Sequence, residues 1–322
     1  MMNKIHLFSH NDLDGISPAI LAKLAFKDRD FEASCVGVKH IDQVVSEFLE
    51  AHEETDIDLY ITDISVNDEV AALLQERIEK GQKVTLLDHH ASALPLAEKY
   101  EWAHIVPTYE DGTKTAATTL FYDYLVENDY LTKTAALDDY VELVRQFDTW
   151  DWFEKDNQRA KQLNNLYYLI SRDEFQDTIL ETLEASLQDE SVTAFAFSER
   201  HQILLEVEEK KIEKYLHDKE KQLIKASVNL HGTEYYVGVV FAENYQSELG
   251  NYLCLQHDDI NFSVLVDMGR QKMGLRTVKD EYNLSKIAGE LGGGGHPRAS
   301  GCSLTPEAFE LFVQNLLFKE AE

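Results

Sequence analysis

Basic residues are scarce in this chain. Thirty Lys and Arg stand against 59 Asp and Glu, a formal net charge of −29 over 322 residues. A protein that grips long nucleic acid needs a basic face to neutralise phosphates, so that class is excluded, and long duplexes with it. An anionic membrane surface is excluded for the same reason. One short anionic ligand is still permitted, provided that bound cations reverse the sign locally. Cysteine is also scarce. Cys35, Cys254 and Cys302 are far apart and make no CxxC pair. That excludes a zinc cluster and a disulfide framework and fits reduced thiols. Long apolar runs are missing too. The longest, about Tyr235–Ala242, is far short of the roughly twenty residues of a membrane span. Met1-Met2-Asn3-Lys4-Ile5 leads directly into a strand pattern, with no secretory leader. The expected location is cytoplasmic.

What is present reads as a folded α/β chain. The length suits two domains. Strand patterns at 4–9, 33–38, 58–64 and 83–88 alternate with helical patterns at 16–26, 42–51, 69–80 and 115–127. Strands alternating with helices of this length predict βαβ units and a parallel sheet. Between Asp139 and Lys225 there is neither Gly nor Pro, which suits long helices. The stretch 195–225 reads as one charged helix, a solvated connector. β patterns return at 235–242, 262–268 and 272–278, and Gly292–Gly295 follows a short helical pattern at 285–290. The expected division is a metal-binding domain over 1–190, a helical linker over 191–225 and a smaller α/β substrate domain over 226–322.

Three strand ends finish in residues that bind metals. The first runs into His10-Asn11-Asp12-Leu13-Asp14-Gly15, the third into Asp63, and the fourth into Asp88-His89-His90. Ligand sites of open parallel sheets lie at the carboxyl ends of strands, so the three clusters are expected to meet. Carboxylate and imidazole without thiolate suit Mn²⁺, Mg²⁺ or Fe²⁺. The carboxylates outnumber what one ion needs, which implies two ions. Any one Asp here would pass as a turn or helix cap; three clusters together read as a metal site. Asp148, in Phe147-Asp148-Thr149-Trp150, reads equally as a helix-end acid or as one more carboxylate of the cluster.

The second chemical element is Gly292-Gly293-Gly294-Gly295-His296-Pro297-Arg298. Glycines let amide N–H groups approach phosphate oxygens, and His296 and Arg298 add an imidazole and a bidentate guanidinium. The run lacks the GK[ST] of a P-loop and is not GxGxxG. Arg276, within a strand pattern, reads as a surface arginine or as a second phosphate ligand.

This ordered set, from His10-Asn11-Asp12-Leu13-Asp14-Gly15 through Asp63, Asp88-His89-His90 and Asp148 to the GGGGH run, resembles the DHH phosphoesterases that carry a DHH-associated C-terminal domain. Within that family it looks like the small oligoribonuclease (nanoRNase) branch. The resemblance implies a metal lobe and a substrate lobe with the substrate held between them. It implies one Mn²⁺ on His10, Asp12 and Asp63, and another on Asp14, Asp63, His89 and Asp148, with Asp63 bridging. Asp88 is then the orienting carboxylate and His90 the contact to the scissile phosphate. The Gly run, with Gly293, Gly294 and Gly295, and His296 and Arg298 then hold the distal nucleotide. The implied activity is hydrolysis of short single-stranded oligonucleotides and dinucleotides to mononucleotides by a two-metal hydroxide mechanism, from an enzyme that can pair as a homodimer. The alternatives are a bisphosphonucleotide phosphatase, a pyrophosphatase-like hydrolase, and a non-catalytic nucleotide sensor.

Overall fold

In a computed structural model, residues 4–52, 56–189 and 191–317 are described. They fall into two compact units, 1–205 and 206–322. Among the described residues no helix is long and apolar enough to cross a membrane.

The first unit is built on a five-stranded parallel sheet. Its strands are β1 (Lys4–His10), β2 (Phe31–Val36), β3 (Ile57–Thr62), β4 (Val84–Asp88) and the short β5 (Ala103–Ile105), in the order β2-β1-β3-β4-β5. β3 and β4 are buried along their whole length. This explains their near-continuous apolar sequence, since helices cover both sheet faces. On one face α1 (Leu13–Ala25) packs with α5 (Ala117–Glu127), α6 (Ala135–Asp148), α8 (Gln158–Leu169) and α9 (Arg172–Gln188). The other face carries α2 (Ile41–Ala51), α3 (Asp68–Glu79) and α4 (Leu94–Lys99) around Phe8, Ile61 and Leu86. Between α6 and α8 lies the short α7 (Asp151–Glu154).

The strand order reverses between β1 and β3, so the connections leave the sheet in opposite directions there. A crevice opens at such a point, at the carboxyl ends of the strands. His10, Asp63 and Asp88 lie at or just after those ends. The Ser9 hydroxyl donates to the Thr62 carbonyl at 2.9 Å and ties the two central strands together at this edge.

The second unit contains a six-stranded mixed sheet. Its strands are β6 (Ile224–Leu230), β7 (Thr233–Phe241), β8 (Phe262–Asp267), β9 (Lys272–Arg276), β10 (Gly294–His296) and β11 (Ala299–Ser303), in the order β10-β11-β9-β8-β7-β6. Only β7 and β8 pair in parallel. The sheet is flanked by α11 (Gln246–Gln256) on one side and α12 (Leu284–Glu290) on the other.

Two segments differ from the sequence expectation. The expected helix over 195–225 is α10 (Glu199–Glu220). The Phe195 amide donates to Asp139 Oδ2 at 2.9 Å outside the helix, and Ile224 already pairs with Val239 in the sheet. The sequence shows no strand pattern over the Gly run, yet the run ends in a strand: Gly294–His296 pairs with Ala299–Gly301 as a hairpin.

Candidate metal centre

Each candidate ligand residue is placed by local geometry that its sequence encodes. Asp12 ends the turn after β1 and is the N-cap of α1, where its Oδ1 accepts from the Gly15 amide at 2.9 Å. Gly15 has to be glycine. A Cβ there would stand 2.2 Å from the His10 carbonyl oxygen, because the first turn of α1 lies directly on the strand end. His10 Nδ1 meets Asp12 Oδ2 at 2.7 Å. The Asp12 hydrogen bond, then the nearby Asp63 carboxylate, raises the imidazole pKa to about 10.

Asp63 is only 3 % exposed and sits in the left-handed region at φ 59°. Asp tolerates that region better than most residues, and such a residue at a strand end is a mark of a functional turn. Burial, then the nearby Asp14 carboxylate, pushes its pKa well up. Its two oxygens face different partners. Oδ2 lies 3.6 Å from His10 Nδ1, and Oδ1 lies 3.4 Å from His89 Nε2. His89 Nε2 is also 3.5 Å from Asp148 Oδ2 and 3.7 Å from Asp14 Oδ2.

Apart from the His10–Asp12 contact, these separations are too long for good hydrogen bonds and suit donors arranged around a cation. Two buried donor atoms, Asp63 Oδ2 and His89 Nε2, have no hydrogen-bond partner. Buried polar atoms in folded proteins rarely stay orphaned, so the residues fit divalent cations. Two groups, His10–Asp12–Asp63 and Asp14–His89–Asp148, each bring one donor atom per residue within 4.8 Å of the others. Asp148, at the end of α6, has its pKa pushed up to about 7 by burial and then by Asp14.

Asp88 is occupied differently. Its Oδ1 accepts from the His89 amide at 2.7 Å, the His90 amide at 3.2 Å and His90 Nδ1 at 2.7 Å. Its Oδ2 accepts from the Ser65 hydroxyl at 2.7 Å. Burial opposes its charge, but these donors, His90 first, hold its pKa below the usual range. A carboxylate satisfied in this way orients its neighbour. The His90 ring is fixed through Nδ1, which leaves Nε2 free at a half-exposed position.

Asp14 has a second task that its motif does not announce. Its oxygens accept from the Ala117 and Thr118 amides at 2.7 and 2.9 Å, and so cap α5 from a distance. α5 starts at Ala117 with no side-chain cap of its own. The helical pattern read from Thr115 already offered a capping residue type, so the sequence carried no signal for this remote acid, nor for Ser65.

The second unit holds a cleft of about 450 Å³ lined by Arg276, Gln246, Lys272, Gly292–Gly295 and residues of β11. Arg276 Nη1 donates to the Leu275 carbonyl at 2.9 Å and Nη2 to the Ser247 hydroxyl at 3.1 Å, while Nε is buried without a partner. Burial lowers its pKa, against the opposing pull of the Glu248 carboxylate. Gly293 is required by close packing, since a Cβ would lie 2.2 Å from the Gly301 carbonyl oxygen; Gly294 has open space there.

Residues 236–317 match the DHHA1 domain family. Over 310 residues the chain is 44 % identical to oligoribonuclease NrnB of Bacillus subtilis, covering 96 % of this chain and 75 % of that protein. The chain belongs to the DHH phosphoesterase family, in its oligoribonuclease branch. Solved structures agree on the fold. Exonuclease RecJ bound to manganese aligns with a TM-score of 0.56 at 16 % identity, over 98 % of this chain and 89 % of that one. A pGpG-specific phosphodiesterase, PggH, from Vibrio cholerae aligns with a TM-score of 0.54 at 14 % identity, over 95 % of each chain.

In this DHH protein the structure brings His10, Asp12, Asp14, Asp63, His89 and Asp148 together, with Asp88 and His90 beside them. In the DHHA1 unit it brings Arg276 to Gly293, Gly294 and Gly295. His296 and Arg298 are not among the cleft-lining residues. Arg298 is exposed and pairs with Asp280, its Nε at 3.1 Å.

Proposed function

We propose that this DHH protein is a Mn²⁺-dependent phosphodiesterase that hydrolyses short oligonucleotides and dinucleotides to mononucleotides in the cytoplasm. The observation that carries the reading is Asp63, with one oxygen toward His10 and Asp12 and the other toward His89. A shared carboxylate of this kind suits two cations, one on His10, Asp12 and Asp63 and the other on Asp14, Asp63, His89 and Asp148. When bound, such cations acidify water to hydroxide at neutral pH and offset charge on the phosphoryl oxygens. The similarity to the oligoribonuclease NrnB, the exonuclease RecJ and the phosphodiesterase PggH supports the activity class, and RecJ, solved with manganese, supports that ion.

The chain's own residues do the rest. Asp88 holds His90 by Nδ1, so the imidazolium presents Nε2–H to a phosphoryl or leaving oxygen. The hydrogen bond to Asp88 also raises the imidazole pKa, which favours that protonated form. Asp14 keeps the carboxylate cluster rigid by anchoring it to the start of α5. In the DHHA1 unit, Arg276 and the Gly293–Gly295 amides bind a phosphate of the substrate.

The test is turnover of a two-residue RNA with Mn²⁺ or Mg²⁺, beside pyrophosphate and adenosine 3′,5′-bisphosphate. A length series from two to about twenty-four nucleotides runs at two ionic strengths. We expect the dinucleotide to be cleaved best with Mn²⁺. Rates should fall with length, more steeply at low salt, because a net charge of −29 repels a trailing polyanion. Turnover of pyrophosphate or the bisphosphate alone would replace the reading, and equal cleavage of the longest strands at low salt would make the protein a processive exonuclease.

A further inference from the structure

An exposed aromatic platform stands beside the metal centre, on a helix that contributes no metal ligand. Tyr168, at the end of α8, is 69 % exposed. Its neighbour Tyr167 is buried and donates its hydroxyl to the Asn11 carbonyl at 2.8 Å, between the ligand residues His10 and Asp12. The two rings meet edge to face at 4.9 Å, so Tyr168 is held one ring away from the ligand loop.

A cation lies on the same side. The Arg172 guanidinium, at the start of α9, lies by the Tyr167 hydroxyl and close to Cys35, which pairs across the sheet with Ser9. In a chain with twice as many acids as bases, an exposed arginine beside the Tyr167 ring that backs Tyr168 is notable. An aromatic face with an adjoining cation is the equipment with which proteins hold single-stranded nucleotides.

Resting on the activity proposed above, we infer that Tyr168 is a base-stacking residue. It holds one nucleobase of the substrate beside the metal centre, and Arg172 contacts the phosphate attached to that nucleoside. A long-chain exonuclease draws grip from many nucleotides. An enzyme for dinucleotides has only two bases to use, so one stacked ring carries much of its affinity. The stack needs a flat face and no hydroxyl, so it tolerates any of the four bases.

The experiment compares wild type, Y168A, Y168F, Y168W and R172Q on a diadenosine dinucleotide and on its two analogues with one base replaced by hydrogen. On the normal dinucleotide, Y168A should lose roughly 5- to 150-fold in kcat/KM, mainly through KM, while Y168F and Y168W stay within about threefold of wild type. On one of the two abasic analogues, Y168A and wild type should be equal. R172Q should raise KM severalfold and weaken its salt dependence. Y168A matching wild type on the dinucleotide, or losing equally on all three substrates, would overturn the inference, the second result making Tyr168 structural. A wild-type protein that cleaves no dinucleotide would overturn the activity as well.

Discussion

Replacing Asp63 with Asn tests the centre at its most informative atom. Asn keeps the shape and tolerates φ 59° about as well as Asp, so the turn after β3 survives. What is lost is the charge that faces both ligand groups. In the metal-free protein, Asp63 is a buried carboxylate among others, its pKa pushed up by burial and Asp14. A neutral amide removes that repulsion, so D63N without metal should melt at or above wild type. Metal changes the comparison. An ion at 100 times its Kd stabilises the folded state by about 2.7 kcal/mol. For a unit of this size, about 1 kcal/mol moves Tm by roughly 2–4 °C. One ion therefore raises Tm by roughly 5–10 °C and two by about twice that. Thermal melts in Mn²⁺ and in EDTA, with metal content by mass spectrometry, should show this shift in wild type and nearly none in D63N. D63N turnover should fall to background. A variant that keeps two ions and the full shift would refute the bridging argument. One that melts far below wild type in EDTA would make Asp63 a structural residue.

The glycine run makes a sharper contrast than its composition suggests. G294A should leave Tm unchanged, because its Cβ meets open space, whereas G293A should lose several degrees through contact with the Gly301 carbonyl; equal Tm values would contradict the packing described for β11. Lowered kcat/KM in a fully folded G294A would mark its backbone as a ligand contact. R276A should raise the dinucleotide KM about 30-fold, the loss of a charge-assisted phosphate contact of about 2 kcal/mol. R298A should have a smaller effect, since that guanidinium is already engaged by Asp280 at the surface. The reverse order in steady-state kinetics would move the phosphate site away from the cleft.

Much of the metal centre was legible because its signals are local. A parallel strand buried on both faces reads as an apolar run, and the residue after that run lies at the carboxyl edge of the sheet. His10, Asp63 and Asp88 could therefore be placed on one edge from periodicity alone. Asp148 could not. It ends a helix, where acids are ordinary, and only the packing of α6 against α1 and α5 brings it to His89.

The roles within that set were decided by the tertiary structure. Asp12, Asp14 and Asp88 are the same side chain, yet one pairs with His10 and caps its own helix, one caps a helix a hundred residues away, and one is filled by four donors and orients His90. Which donors surround a carboxylate depends on non-local contacts, and sequence spacing carries no information about them. The same holds for the arginines. Arg298 adjoins the Gly run in sequence, but Arg276 adjoins it in space, because the antiparallel register of β9 and β11 sets Arg276 opposite Ala299 while Arg298 lies outside the strand pairing and reaches Asp280. The sequence alone determined the residue types, their order along the chain and the sheet edge they share. Strand register and helix packing decided which atoms are left without partners, and those atoms carry the chemistry.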